Sequence, residues 1–325
     1  MLRTPVLQPV TVPCMTDISH RRGFLKATLA TAAAAGLSQF VPLTALARDS
    51  KPELTITRLN DKLIVISGAG ANVVAMKSPQ GALLVDGGTQ ARSSELVKLA
   101  LRESGAKKVH TLINTHWHPE QTGSNERLGK DGARIISHVN TKLWLGYAND
   151  VPWQDRKWGP LSPKGLPNDT TYGDGAIEFG GEHIEYDYLL QAHTDGDLAV
   201  VFKESNVIAA GGAVSSEGWP VIDYKTGGWI GGLVNGLRDL VQMCDANTKV
   251  VPANGPVIGK ADLEAQLKMY GTISQRMNQL LRKGMGPEEV LAAQPTKEFD
   301  AQWGEPTKFV TLAFKSLWGH MAPDA

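Results

Sequence analysis

The stretch INTHWHPEQTGSN, from Ile113 to Asn125, decides how the rest of the chain is read. His116 and His118 stand one residue apart, a spacing that lets a loop aim both imidazoles at one cation. A metal-binding loop of this kind would be expected to go on with an aspartate and a third histidine. This one goes on with Glu120 and Gln121. Part of a metal site is written here, and part of it has been changed.

Outward from this loop, KKVHTLINTH reads as an apolar strand that delivers the histidines at its C-terminal end. Upstream, LTITRLNDKLIVISG predicts two strands around an Asn60-Asp61 turn. NVVAMKSPQGALLVDGG predicts a hairpin through Pro79-Gln80-Gly81 that runs into Asp86-Gly87-Gly88. SSELVKLALRESG predicts a helix with a serine cap and a stopping Gly105, and ARIISHVNTKLWLG a strand followed by a helix. The second half repeats the grammar. IEYDYLLQAHTDGDLAVVF is strand, loop, strand; NVIAAGG is a short buried strand; GGLVNGLRDLVQMCDANTK is a helix; KVVPANGPV is a strand and loop. The remainder is mostly helical. Two β-rich halves, each followed by helices, predict a layered α/β structure with a pair of sheets inside. QDRKWGPLSPKGLPNDTTYGDG, about residues 154–175, is rich in Pro and Gly and reads as a long surface loop near the site.

Composition sets the outer limits. A chain of 325 residues with 42% hydrophobic and 20% charged residues is that of an ordinary globular protein. The formal charge is zero, from 33 basic and 33 acidic residues, and no basic run occurs beyond the N-terminal region, which argues against nucleic acid as a partner. Near the N-terminus, Arg21-Arg22 precede Gly23-Phe24-Leu25-Lys26 and an alanine-rich run that ends at Ala45-Leu46-Ala47, a small-x-small cleavage site. Residues 1–47 resemble a twin-arginine export signal, which implies a periplasmic or otherwise exported protein whose mature domain is 48–325. Ser38, Gln39 and Pro42 interrupt the apolar run and argue against a membrane anchor, so no span is expected in the mature chain. Cleavage removes four basic residues and one acidic residue, leaving 29 and 32, and it leaves Cys244 as the one cysteine, with no internal disulfide.

Polar residues with metal or acid–base chemistry collect after strand ends: Asp86, His116, His118, Glu120, Gln121, His193, Asp195 and Asn254. Three imidazoles with an open fourth position suit a catalytic zinc.

At this point LLVDGG, INTHWHPEQTGSN, AHTDGD, VIAAGGAVSSEGWPVIDY and VVPANGPV resemble, in order, the motifs of the metallo-β-lactamase superfamily from about Leu54 to the C-terminus. That resemblance implies an α/β fold, the four-layer αβ/βα sandwich, with a metal site at one edge of the two sheets. The chain is most similar to exported class B3-like and glyoxalase-II-like hydrolases. Position by position, His116, His118 and His193 match the ligands of the family's first metal. The second metal's aspartate falls on Glu120 and its neighbouring histidine on Gln121. The bridging aspartate falls on Gly212 and the last histidine on Asn254. Asp86 matches an acid that supports the metal loop by hydrogen bonding.

Amide oxygens are poor substitutes for imidazole, and Gly212 offers no carboxylate to bridge two dications that would otherwise repel each other. One zinc per chain is therefore expected, with a mononuclear iron as the weaker alternative. Glu120 keeps the acid with one more methylene; it could act as general base, ligate the metal, or pair with a neighbouring donor. His110, His138, His183 and His320 match no ligand position, and Asp195 and Asp197 read as turn residues. Of the tryptophans, Trp117, Trp153, Trp158, Trp219 and Trp229 are candidates for a substrate cleft. Two functions follow. One is an exported hydrolase in which a zinc-bound water attacks an ester, thioester, amide or lactam of a small molecule; the other is a catalytically silent relative that binds a ligand or partner.

Overall fold

The computed structural model describes residues 52–321, so the expected export signal, residues 1–47, lies outside the described residues. Strands β1 (Thr55–Arg58), β2 (Leu63–Ser67), β3 (Val73–Met76) and β4 (Ala82–Val85) pair antiparallel in chain order. Helix α1 (Ser93–Ser104) then crosses over so that β5 (Val109–Ile113) lies parallel to β4. Two short helices, α2 (Pro119–Thr122) and α3 (Asn125–Lys130), lead to β6 (Arg134–His138), again parallel. After α4 (Val139–Leu145), β7 (Asn149–Val151) and β8 (Arg156–Trp158) form a separate hairpin. Then β9 (Asp169–Thr171) completes a seven-stranded sheet ordered β1-β2-β3-β4-β5-β6-β9.

The second sheet holds β10 (Gly175–Phe179), β11 (Glu182–Tyr188), β12 (Leu198–Phe202), β13 (Val207–Ser215) and β14 (Lys249–Asn254) in that order. Its last pair is parallel because α5 (Ile230–Met243) crosses between them. Helices α6 (Lys260–Arg282), α7 (Pro287–Ala292), α8 (Asp300–Trp303) and α9 (Thr307–Met321) follow. Among the described residues, no helix is long and apolar enough to cross a membrane.

Strand periodicity of two builds the layers. In β4, Leu83 and Val85 face the second sheet, while Ala82 and Leu84 face α1 through Leu96, Val97 and Ala100. In β12, Leu198, Val200 and Phe202 face the first sheet, and Ala199 and Val201 face the helices α5, α6 and α9. Both faces of each sheet are thus covered, which is why these strands read as continuous apolar runs. The result is the mixed α/β, four-layer arrangement expected from the motifs.

Two local expectations need correction. Ser93 does not cap α1: a short 3-10 turn, Gln90–Arg92, runs straight into the helix, and the Ser93 N–H already donates to Gln90 O. The supposed surface loop at 154–175 contains β8 and β9. Asp169–Thr171 finds an open edge beside β6, and Trp158 anchors the hairpin in a small apolar cluster with Trp117, Leu145 and Val151. Enough apolar surface was available locally to order that segment.

Candidate metal centre

β4 and β5 end side by side, and their C-terminal loops meet at the edge of the sheet. Asp86, the residue after β4, adopts a left-handed backbone (φ 65°). Its N–H donates to Ile113 O at 2.8 Å and its carboxylate accepts from Thr115 N at 2.8 Å. The Thr115 hydroxyl also donates to Asp86, 2.9 Å from Oδ2, and stands 3.0 Å from Nδ1 of His116. With Asp86 ionised, that hydroxyl gives it its proton and accepts from the His116 ring, which leaves Nε2 of His116 its lone pair. Burial pushes Asp86 up to about 8, against the two Thr115 hydrogen bonds that favour its charge.

His118 is held from the other ring nitrogen. Its Nε2 lies 3.1 Å from Oδ2 of Asp223, so Nδ1 keeps the lone pair. Asp223 accepts as well from Thr226 Oγ1 at 2.6 Å, and that hydroxyl accepts from the Trp117 indole at 3.1 Å. The Asp223 N–H donates to His193 O at 3.1 Å, so one short segment secures all three neighbours. Burial raises the Asp223 carboxyl above its usual range. Asp223, Thr115 and Thr226 were missed by motif reading. Asp223 lies inside the quoted run VIAAGGAVSSEGWPVIDY, but nothing in a lone aspartate marks the partner it will find 105 positions away.

His193 sits in the loop between β11 and β12. Asp197 accepts from the Thr194 N–H at 2.7 Å and the Thr194 hydroxyl at 2.8 Å, which is the turn role expected of it. Burial opposes its ionisation, but His193 and the Thr194 N–H hold it below the usual carboxylate range. Nδ1 of His193 is 3.6 Å from Asp197 Oδ1, beyond hydrogen-bond reach, and this buried nitrogen has no hydrogen-bond partner.

The three imidazoles converge. They are buried, and one ring nitrogen of each lies within 4.8 Å of the others. Ring centroids are 4.6 to 4.7 Å apart in edge-to-face arrangement. Burial, then the neighbouring imidazole of His193, drives His116 and His118 well below the usual histidine range, so both are neutral donors. Neutral nitrogens packed this closely are a donor set that a dication satisfies.

Glu120, Gln121, Gly212 and Asn254 line the same cavity as the three histidines, a space of about 120 Å³. Glu120 is gripped by the tip of the β7–β8 hairpin: the Trp153 indole donates to Oε1 at 3.0 Å and the Gln154 amide donates to the same oxygen. Its Oε2 is buried without a partner. Trp153 also leans on His118, centroids 4.3 Å apart. Gly212 presses on His193. A Cβ there would lie 2.8 Å from the ring's Cγ and closer still to Nδ1, so the altered position leaves no room for any side chain while His193 stays in place.

The remaining candidates separate. Trp153 and Trp219 line the cavity, whereas Trp117 and Trp158 are buried beneath it and Trp229 stacks on His320. His110 tilts against Phe179, His138 stacks on Tyr188, and His183 pairs with Glu178 at the surface. Asp195 accepts from the Trp144 indole at 2.8 Å.

A sandwich of two sheets with a histidine cluster at its edge defines the class: a layered α/β fold with a candidate metal centre. A family model described as the metallo-beta-lactamase superfamily matches residues 67–253, more than half of the chain, and the chain belongs to that superfamily. Among solved structures, it is similar to a metallo-beta-lactamase from Pontibacter korlensis (17% identity, TM-score 0.55), covering 67% of this chain and 99% of that one. The DIM-1 metallo-beta-lactamase gives 18% identity and a TM-score of 0.54, covering 68% of this chain and 98% of that one. The inverting sec-alkylsulfatase Pisa1 from Pseudomonas sp. gives 12% identity and a TM-score of 0.61, covering 84% of this chain and 51% of that one. At these identities the neighbours speak for the fold alone.

Proposed function

We propose that this protein is an exported hydrolase that works with a single zinc ion held by His116, His118 and His193. The observation that carries the proposal is three buried imidazoles converging in a cavity that Gln121, Gly212 and Asn254 also line. When bound, the ion supplies Lewis acidity. The chain supplies the rest. Thr115 and Asp86 fix the ring of His116, and Asp223 fixes that of His118. Glu120, which lines the same cavity with Oε1 tied down by the hairpin, is in our reading the base that takes a proton from attacking water. Substrates are small esters, thioesters or amides. Penicillins and carbapenems are poor candidates, because the residues that would hold a second ion against the leaving group are replaced.

The test is Glu120→Gln. Metal analysis should give about one zinc per chain in wild type and variant alike, while turnover falls on the order of 10²-fold. Loss of the ion would make Glu120 a ligand. Unchanged turnover of a substrate found by screening would leave it a bystander, and no turnover of any ester or lactam favours the silent binding protein to which the altered positions also point. Export belongs to the same proposal: replacing Arg21 and Arg22 by lysine should leave unprocessed precursor inside the cell.

A further inference from the structure

The reacting cavity does not end at the histidines. A second cavity of about 390 Å³ shares Gly70, Glu217 and Asn254 with it and continues toward Ser67 and Asn72. A substrate that reacts at the imidazoles and reaches into the second cavity passes Glu217. Among the described residues lining either cavity there is no lysine or arginine. Lys308, whose amine burial holds below the usual lysine range against the opposing charge of Glu120, lines neither.

Glu217 is built to stay at this junction. Its N–H donates to Ser215 Oγ at 3.3 Å, and that hydroxyl donates back to Glu217 O at 2.9 Å. Gly255, with φ +85°, lets the neighbouring backbone approach, since a Cβ there would lie 2.9 Å from that of Glu217. The carboxylate itself is exposed and makes no ion pair or hydrogen bond among the described residues. Two residues on, Trp219 is immobilised in the wall of the reacting cavity. It stacks on Phe309 at 4.6 Å and 15°, and its indole donates to Gly304 O at 3.0 Å. A free carboxylate beside a fixed indole is a recognition surface for a cation.

We infer that the cleft selects substrates carrying a positively charged group, an amine or quaternary ammonium, remote from the bond that reacts, with Glu217 and Trp219 as the residues that read the charge. An anionic substrate would instead meet Glu217, and among the described lining residues no guanidinium or ammonium offsets it. The inference rests on the three-histidine cleft being the reacting site.

The experiment uses the zinc-loaded protein and matched probes. Binding of choline and of its uncharged isostere 3,3-dimethylbutanol is measured by calorimetry, and hydrolysis of their acetate esters is followed in parallel. Choline should bind on the order of 10-fold tighter than the isostere. The preference should vanish in Glu217→Gln, and Glu217→Lys should turn it against the cation. Equal binding of the two probes, or a preference that survives Glu217→Gln, overturns the inference. Hydrolysis of both esters without charge preference would sink the inference while leaving the hydrolase reading intact. A charge preference in binding that vanishes in Glu217→Gln, with neither ester hydrolysed, would uphold Glu217 as the residue that reads the charge and count against acetate esters as the substrates.

Discussion

On one side of the cavity, His116 and His118 each stand on a neighbour that stands on another, Asp86 behind Thr115 and Thr226 behind Asp223, while His193 is carried by the Thr194–Asp197 turn with its ring nitrogen unpartnered. On the other side, Gln121 and Asn254 bring amides, Gly212 brings only backbone, and Glu120 is held by a hairpin from elsewhere in the fold. The difference teaches that the second side is not the first with ligands deleted. It has packing of its own: glycine lies against an imidazole, and a carboxylate accepts from two donors of the hairpin. A side that had merely lost function would have no reason to tie Glu120 down.

The bluntest way to break the comparison is to remove a ligand from the intact side. His118→Ala leaves two nitrogens of the cluster, and metal bound after gel filtration should fall from about one zinc per chain to none detectable. Two tightly bound zincs in the wild type would break it from the other direction, since the altered side would then be a metal site after all.

Gly212→Asp tests whether that packing is real. It restores the acid that the family resemblance implies, so a side lacking only a ligand should gain a second ion. The overlap with His193 predicts otherwise. We expect no second zinc, weaker binding of the first, and a melting temperature lower by about 3–10 °C, the effect of some 1–3 kcal/mol of overpacking in a domain of this size. A stable variant with two zincs would show that His193 has room to move.

How much of this was legible in the sequence differs along the same line. The order of elements followed from periodicity, because strands covered on both faces, such as Leu63–Ser67 and Leu198–Phe202, show as unbroken apolar runs. The pairing of His116 with His118 followed from their spacing, and His193 joined them through the family resemblance. What could not be read was whatever depends on partners far apart in the chain. Asp223 looks like any loop acid until it meets His118, and Gln154 sits in what reads as a Pro- and Gly-rich loop until the hairpin folds it onto Glu120. Gly212 could be recognised as a lost ligand, but not as a glycine that His193 requires.

Asp223→Asn sharpens the intact side. The amide oxygen can still accept from Nε2 of His118, but the negative charge that makes the ring a better donor is gone. Zinc affinity measured by competition with a chelator should fall roughly 10- to 100-fold, with the fold retained. Unchanged affinity would reduce Asp223 to closing the turn with Thr226.

The smallest effect belongs to the hairpin, and it separates packing from positioning. Trp153 does two things: its ring leans on His118, and its N–H donates to Oε1 of Glu120. Trp153→Phe keeps an aromatic face against the imidazole and deletes only the donor. Zinc content should therefore be unchanged. Glu120 would keep the Gln154 amide on the same oxygen and lose one of two restraints, so turnover should drop several-fold, about 3- to 10-fold, less than the loss of the acid itself. Trp153→Ala should go further by uncovering His118 as well, lowering zinc affinity together with turnover. If Trp153→Phe loses zinc, the indole N–H is holding the intact side and the division between the two halves is drawn in the wrong place. If it loses neither zinc nor turnover, Gln154 alone suffices to hold Glu120, and the same measurement on Gln154→Ala decides whether the hairpin positions the acid at all.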